Sequence, residues 1–537
     1  MKKWIKKISL AMITYIIMQL VLYKKIHLIF DFPETPTLTF LSIRVLSIVF
    51  GISLLTALYT AIALLIAKNT KFYSFLKYFI PYGLIMGVFL LLTWPGIFKG
   101  DEFYVLRAAL SFQLSPAQSG LTSLFYICCL LFFPSMATIT LIQLLIICSI
   151  FAYIMKNLME LYHSKWIYLM YIPALLLPVI DGNLFTLRST LVGWFFLLLL
   201  FQLFFSYQRK KQFNAPMTTT NYFSFLIISG LLCAWRSEFL YLILFLPAIL
   251  FLFKLLNWKK ALLAIPTIIL CFCIWNVPNK IASQGCNKYP ISLVLNPIAN
   301  IFTEEYIEGP QVYEDILTIN ELVDVQLLRQ SASVRNISQY WNIPDILPEE
   351  QLNRFMAASL RIILYNFDDF LKYRSQTFAY TNGFYKDRIN HPGGEMVSGI
   401  LNLEYYGEDY KTKFIMVNPI LPQSIREKTI DFLACRHYAQ DENTTNKTII
   451  VFYNCVPTII LLLLTTILAL WKRKFWFAGL SILCAAQVLL IFLTAPAMFF
   501  MYYYSFYLSG YMLSALYLVE LLSNPKTNSQ KNKLATS

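Results

Sequence analysis

The chain has 537 residues, of which 58% are hydrophobic and only 14% charged. A soluble domain cannot enclose that much apolar side chain, so composition indicates an α-helical polytopic membrane protein. The net charge of +15 could suit nucleic acid, but its placement argues against such a partner. Residues 277–447 hold 16 Lys and Arg against 21 Asp and Glu, and the remainder holds 28 against 8. Nearly all of that cationic excess sits in short loops between apolar runs, which is how membrane topology is encoded.

In chain order, MKKWIKKISLAMITYIIMQLVLY has the outline of a signal peptide. No small-x-small cleavage site follows it, so it reads as a retained first span. About twelve transmembrane helices are expected, at 4–23, 39–67, 78–95, 137–156, 166–180, 188–206, 222–235, 239–256, 261–276, 448–470, 476–494 and 497–520. The apolar run 119–134 is bounded by Pro116 and Pro134 and reads as a juxtamembrane or half-inserted helix. Charge supports that choice. With both termini inside, twenty-one Lys and Arg fall inside, and the short outer loops carry six: Lys24, Lys25, Lys99, Arg107, Arg188 and Arg236. A full span at 119–134 would move Arg209, Lys210 and Lys211 outside. Lys24 and Lys25 run against the trend.

Four parts are therefore expected. Residues 1–276 form a transmembrane core with a candidate catalytic outer loop near 96–136. Residues 277–447 form one extracytoplasmic domain, too long for a linker. Residues 448–524 supply the last spans, and 525–537 a cytoplasmic tail. Within the domain, 356–378 has helical periodicity and reads either as an amphipathic helix on the membrane or as a core helix. Cys286 and Cys435 are the only cysteines in this polar region, and they could pair if it faces an oxidising space. HPGGE at 391–395 reads as a tight turn, and no two histidines have metal-ligand spacing.

The stretch TWPGIFKGDEFYVL, 93–106, carries the strongest chemical signal. A Pro-Gly break is followed by adjacent carboxylates, Asp101 and Glu102. Acids beside a membrane are functional candidates, although they also cap helix starts. Phe103, Leu106 and Leu110 then fall at helical spacing, with Arg107 on a neighbouring face. The positive end of a helix dipole keeps a carboxylate ionised, ready to accept a proton. In CAWRSEFLYLILF, 233–245, Arg236 ends one span and Glu238 begins the next. They read as an ion pair, or as a guanidinium set at headgroup depth for a phosphate. In DGNLFTLRSTLVGW, 181–194, Asp181 and Arg188 bracket an outer loop, with Asp-Gly as a turn signal. The aromatics of MFFMYYYSFYLSGY, 498–511, read as an interfacial belt, with sugar or prenyl contact as the sharper alternative.

A span ending in Trp94-Pro95-Gly96, then Asp101 in the first large outer loop, then a Pro-bounded half-helix, resembles the GT-C superfamily of polyprenyl-phosphate-sugar-dependent membrane glycosyltransferases. The loop 181–188, the Arg-x-Glu turn 236–238 and a late outer domain follow in similar order. The resemblance covers roughly 78–276. It implies that Asp101, with Glu102 beside it, serves the acceptor hydroxyl, and that Arg236, with Lys99 or Arg188, holds the lipid phosphate. Arg107, Asp181 and Glu238 are then candidate substrate contacts. Two features depart from the family pattern. Arg188 stands where an acidic residue is frequent, and no His-Pro follows Asp101. The resemblance fixes no cofactor, and a divalent cation is the one candidate. The implied partners are a polyprenyl-phosphate sugar, a glycan or glycolipid acceptor and the bilayer. The implied location is a bacterial plasma membrane with the site facing outside. A surface-polysaccharide polymerase or ligase, or a lipid-linked-glycan flippase or transporter, is the alternative.

Overall fold

The computed structural model describes residues 2–98, 100–116, 118–335, 343–384, 413–433, 435 and 451–523. Among them the fold is helical, with one isolated parallel bridge between Ile97 and Phe185. The membrane part begins with α1 (Lys2–Ile29), α2 (Leu38–Ile66) and α3 (Thr70–Leu92). Next come the short α4 (Gly100–Leu110) and α5 (Gly120–Phe132), then α6 (Met136–Tyr162), α7 (Tyr171–Ala174) and α8 (Leu177–Leu184). It continues with α9 (Arg188–Phe213), α10 (Thr219–Trp235), α11 (Leu242–Leu252) and α12 (Trp258–Trp275). Helix starts follow local chemistry. Thr37, Asn69, Thr218 and Asn257 each accept a hydrogen bond from a backbone amide three residues on. These bonds satisfy donors that the first helical turn leaves open.

The insert adds α13 (Val277–Gly285), α14 (Ile291–Ile301), α15 (Val312–Asn320), α16 (Val325–Gln330), α17 (Glu349–Tyr365), α18 (Phe367–Thr381) and α19 (Gln423–Leu433). The chain closes with α20 (Val456–Trp471), α21 (Phe475–Thr494) and α22 (Tyr504–Leu522). Among the described residues, eight helices are long and apolar enough to cross a membrane, or nine if the bent pair around α7 and α8 counts as one. The helices α10, α11 and α20 are apolar but shorter. The chain is therefore a multi-pass membrane protein. At its centre α9 packs against α6, α10 and α22, while α1 and α2 stand at the rim.

One expected span is broken. Residues 166–180 form a 3-10 turn and α7, then bend by 65° into α8. Pro173 and Pro178 each remove an amide donor, and the chain turns between them. The helix α8 then runs through Asp181 and Gly182, so the expected Asp-Gly turn is absent and the loop before α9 is confined to residues 185–187. Gly182 lets α8 pack closely on α22: a Cβ would lie 2.6 Å from the Tyr504 ring.

The periodic stretch 356–378 buries one face in the core of the insert. It is split at Asn366 into α17 and α18, which pack with α14 and α15 around Leu295, Ile298, Phe355 and Ile362. The Asn366 side chain makes the break: its amide donates to Ile362 O at 2.8 Å and its oxygen accepts from Glu308 N at 2.8 Å.

Residues 413–433 and Cys435 fold back onto the membrane core. Ile430, Leu433 and Cys435 join its apolar cluster, and Phe414 and Val417 join the cluster under α4 and α5. Cys435 is thereby buried near Asp181 and makes no disulfide with Cys286, so the pairing the sequence leaves open is not made. Residues 336–342, the 391–395 turn and the tail lie outside the described residues.

Contacts gather many helix ends on one face. Ile97 N donates to Leu184 O at 3.1 Å, Ile415 N to Pro134 O at 3.1 Å, and Cys455 N to Asn382 Oδ1 at 2.7 Å. Arg374 donates to Ala495 O. The Trp94-Pro95-Gly96 turn is held at this face from several sides. Trp94 Nε1 donates to Met416 O at 2.8 Å, Thr140 Oγ1 to Pro95 O at 3.2 Å, and Arg426 to Trp94 O at 3.1 Å and Gly96 O at 3.3 Å. Gly96 has φ +118°, and a Cβ there would lie 2.3 Å from Thr140 Oγ1. Gly96→Ala should therefore cost about 2–4 kcal/mol, combining left-handed backbone strain with overpacking. Thermal unfolding of the purified protein checks this. Gly87→Ala, whose Cβ meets nothing within 4 Å, is the control and should leave the midpoint unchanged or slightly raised.

Candidate active site

Asp101 and Glu102 occupy the first turn of α4, where the helix dipole favours negative charge. Successive helical residues point about 100° apart, and the two acids have different surroundings. Asp101 is half-buried, and Gln118 Nε2 donates to its Oδ2 at 2.8 Å. Glu102 is buried within electrostatic reach of Tyr126, whose hydroxyl lies 2.6 Å from Thr186 Oγ1.

The loop carrying Gln118 is fastened to the end of α10. Ser119 Oγ and Gly120 N both donate to Asn279 Oδ1 at 2.8 Å, and Asn279 Nδ2 donates to Ala234 O at 2.6 Å. Trp235 Nε1 donates to Thr122 Oγ1 at 2.9 Å. Gly120 is needed for this approach, because a Cβ would lie 2.3 Å from Pro278 O. Asn279 thus bridges the loop beside Asp101 to the residues that precede Arg236.

Arg236 is buried and grips Glu238 with two donors, Nε to Oε2 at 3.3 Å and Nη2 to Oε1 at 2.5 Å. Burial alone would raise the Glu238 carboxyl, but Arg236, aided by Arg188, overrides it and holds the carboxyl below its ordinary value. Arg188 is half-buried, and its Nη2 donates to the Tyr289 hydroxyl at 3.2 Å. Tyr502 lies among these groups, its ring centre 6.0 Å from Arg236 Cζ. Burial pushes the Tyr502 hydroxyl well above its ordinary value; Tyr289 and Asp101 add to the shift, and Arg236 and Arg188 oppose it.

The Arg236 and Glu238 pair therefore lies beside Tyr502, with Arg188 and Asp101 within electrostatic reach of that tyrosine. Except for Arg236, each is partly exposed, as are Gln118 and Tyr289. The other sequence candidates lie elsewhere. Arg107 is exposed on the last turn of α4. Asp181 is fully buried, and the Tyr453 hydroxyl donates to it at 3.3 Å, in a cluster with Cys435. Its burial follows from the continuation of α8, so it is not a loop residue open to substrate. Lys99 lies outside the described residues.

Gln118, Asn279 and Tyr289 carry no motif and give no signal in the sequence. Tyr502 sits in the aromatic run at 498–511, where sugar contact is one of the two readings. Chemically, the cluster offers a carboxylate held by an amide, beside two guanidinium groups of which one is neutralised by Glu238. Among the described residues, no group of three His, Cys, Asp or Glu is placed to hold a metal ion. Comparison with family models, curated proteins and solved structures returned no match.

Proposed function

We propose that the protein is an integral-membrane glycosyltransferase that moves a sugar from a polyprenyl-phosphate donor to an extracytoplasmic glycan or glycolipid. The observation that supports this reading is the Arg236 and Glu238 pair beside Tyr502, with Arg188 and Asp101 within electrostatic reach of the same tyrosine. The eight long apolar helices, the bent pair and the three shorter helices would together make twelve crossings. The lysine-rich ends would then face the cytoplasm, and the site and the insert the outside of a bacterial plasma membrane.

In this reading Asp101 accepts the acceptor hydroxyl proton while Gln118 fixes one carboxylate oxygen. The acceptor oxygen bonds to sugar C1 as the bond from C1 to the phosphate oxygen breaks. The polyprenyl phosphate leaves with the electron pair, and C1 inverts. Arg188 is the better placed cation for the departing phosphate, because Glu238 already occupies one edge of Arg236. Arg236 sets the depth of that edge and adds its remaining donors.

The test is to incubate the purified full chain in lipid nanodiscs with polyprenyl-phosphate hexoses and pentoses and a glycolipid acceptor. Release of polyprenyl phosphate with a glycosylated acceptor supports the transferase. Movement of intact lipid-linked glycan across a proteoliposome, without cleavage, supports the flippase instead.

A further inference from the structure

The pair α1 and α2 encloses a lipid-facing groove of about 310 Å³ that the proposed chemistry does not use. Its walls are apolar, with Ile16, Leu20, Ile48 and Ile52 among them, and His27 and Arg44 close one end. Arg44 is the only charged residue in α2 and lies in its second turn. Its guanidinium faces the Phe32 ring at 5.6 Å, and Phe32 in turn stacks on His27 at 4.3 Å. Among the described residues, Arg44 has no ion-pair or hydrogen-bond partner, although Asp31 and Glu34 lie in the loop between the two helices. Asp31 instead accepts a bond from Ser111 Oγ at 3.2 Å. Lys24 and Lys25 are exposed near the same end of α1. Lys24 lies four residues after Leu20 and three before His27, on the face that lines the groove.

These are the cations that run against the charge distribution of the other loops. A ligand that favours them here resolves the conflict. We propose that the groove holds one anionic glycerophospholipid of the leaflet facing the site, its phosphate on Arg44 and one acyl chain along Ile48 and Ile52. A guanidinium fits phosphate oxygens, and nearby lysines favour an anionic over a zwitterionic head. The groove runs on from Arg44 to Ile52 for about 12 Å, the rise of eight helical residues.

Position separates this lipid from the reacting one. Asp31 N donates to Leu110 O at 2.9 Å, so the head of the groove lies level with the C-terminal end of α4. Asp101 is at the other end of that helix, about 14 Å away along its axis. Phe30 and Phe40 pack on Phe112, just beyond the C-terminal end of α4. The lipid's role is to support the rim. The helices α1 and α2 rest on α5 through a bond that Gln19 Nε2 donates to Leu131 O at 2.7 Å and a 3.5 Å contact between Ser47 Oγ and Cys128 Sγ, and α5 in turn supports the loop that carries Gln118.

The experiment reconstitutes the full chain in nanodiscs of mixed phosphatidylcholine and phosphatidylglycerol and counts retained lipids by native mass spectrometry. The expected result is one retained phosphatidylglycerol, weakened about tenfold or more in Arg44→Gln and by a smaller factor in Lys24→Gln/Lys25→Gln. Ile48→Trp, which fills the groove and keeps the charge, should also expel it. Equal retention by Arg44→Gln, or equal retention of phosphatidylcholine, overturns the proposal. Displacement of the phosphatidylglycerol by polyprenyl phosphate also overturns it, because the groove would then belong to the substrate. None of these readouts depends on glycosyl transfer.

Discussion

Asp101→Asn is expected to lower glycosyl transfer on the order of a hundredfold or more, the usual contribution of a positioned base. The substitution preserves shape, and the Asn oxygen can still accept from Gln118, so the fold and donor binding should stay intact. The loss should therefore fall on kcat while KM for the donor changes little. Asp101→Glu should recover only part of the rate, because the longer side chain moves the carboxylate past the position that Gln118 fixes. The measurement is turnover in membranes, with the thermal midpoint as a folding control. Wild-type turnover in the Asn variant would end the proposed role.

The second large effect concerns the Arg236 and Glu238 pair. Arg236→Gln leaves Glu238 in a site built for its charged form, with only Arg188 nearby, and should cost about 3–5 kcal/mol of stability. Arg236→Gln/Glu238→Gln removes both charges and should restore most of that loss. If Arg236 only holds the turn, the double variant will also regain activity. If the guanidinium takes part in phosphate binding, the double variant will fold but transfer slowly, with a raised KM for donor. The pair also sets a pH response. The Glu238 carboxyl is held below its ordinary value in the folded protein, so its stabilisation is complete above the unfolded carboxylate value of about pH 4.3. That contribution is lost as pH falls through the lowered folded value. The thermal midpoint of the double variant should therefore decline less on acidification than that of the wild type.

Much of the architecture can be read from the chain because lipid imposes simple rules. Length and apolarity identify the long helices. Pro116 and Pro134 bound α5 closely, and the Pro-Gly break before Asp101 is where the chain leaves α3. Local rules fail where tertiary contacts override them. Asp181-Gly182 has a strong turn signal, yet packing against Tyr504 keeps it helical. The bend between α7 and α8 falls between two prolines, and neither alone fixes its place. The split at Asn366 depends on a contact with Glu308, 58 residues earlier. The site is half legible: Asp101, Arg188, Arg236 and Glu238 announce themselves as charges among apolar residues. Their neighbours do not, because Gln118, Asn279 and Tyr289 are ordinary residues made relevant only by distant partners, and Tyr502 hides in an aromatic run.

The fastening of the Trp94-Pro95-Gly96 turn by Arg426 has a consequence for biogenesis. Donor and acceptor are 332 residues apart in sequence, so the ribosome has made most of the protein before this clasp can close. Until then the carbonyls of Trp94 and Gly96 wait for their guanidinium, and the segment leading to Asp101 has no fixed anchor on that side. A nascent chain released before residue 426 would therefore carry the Trp94-Pro95-Gly96 turn without its clasp.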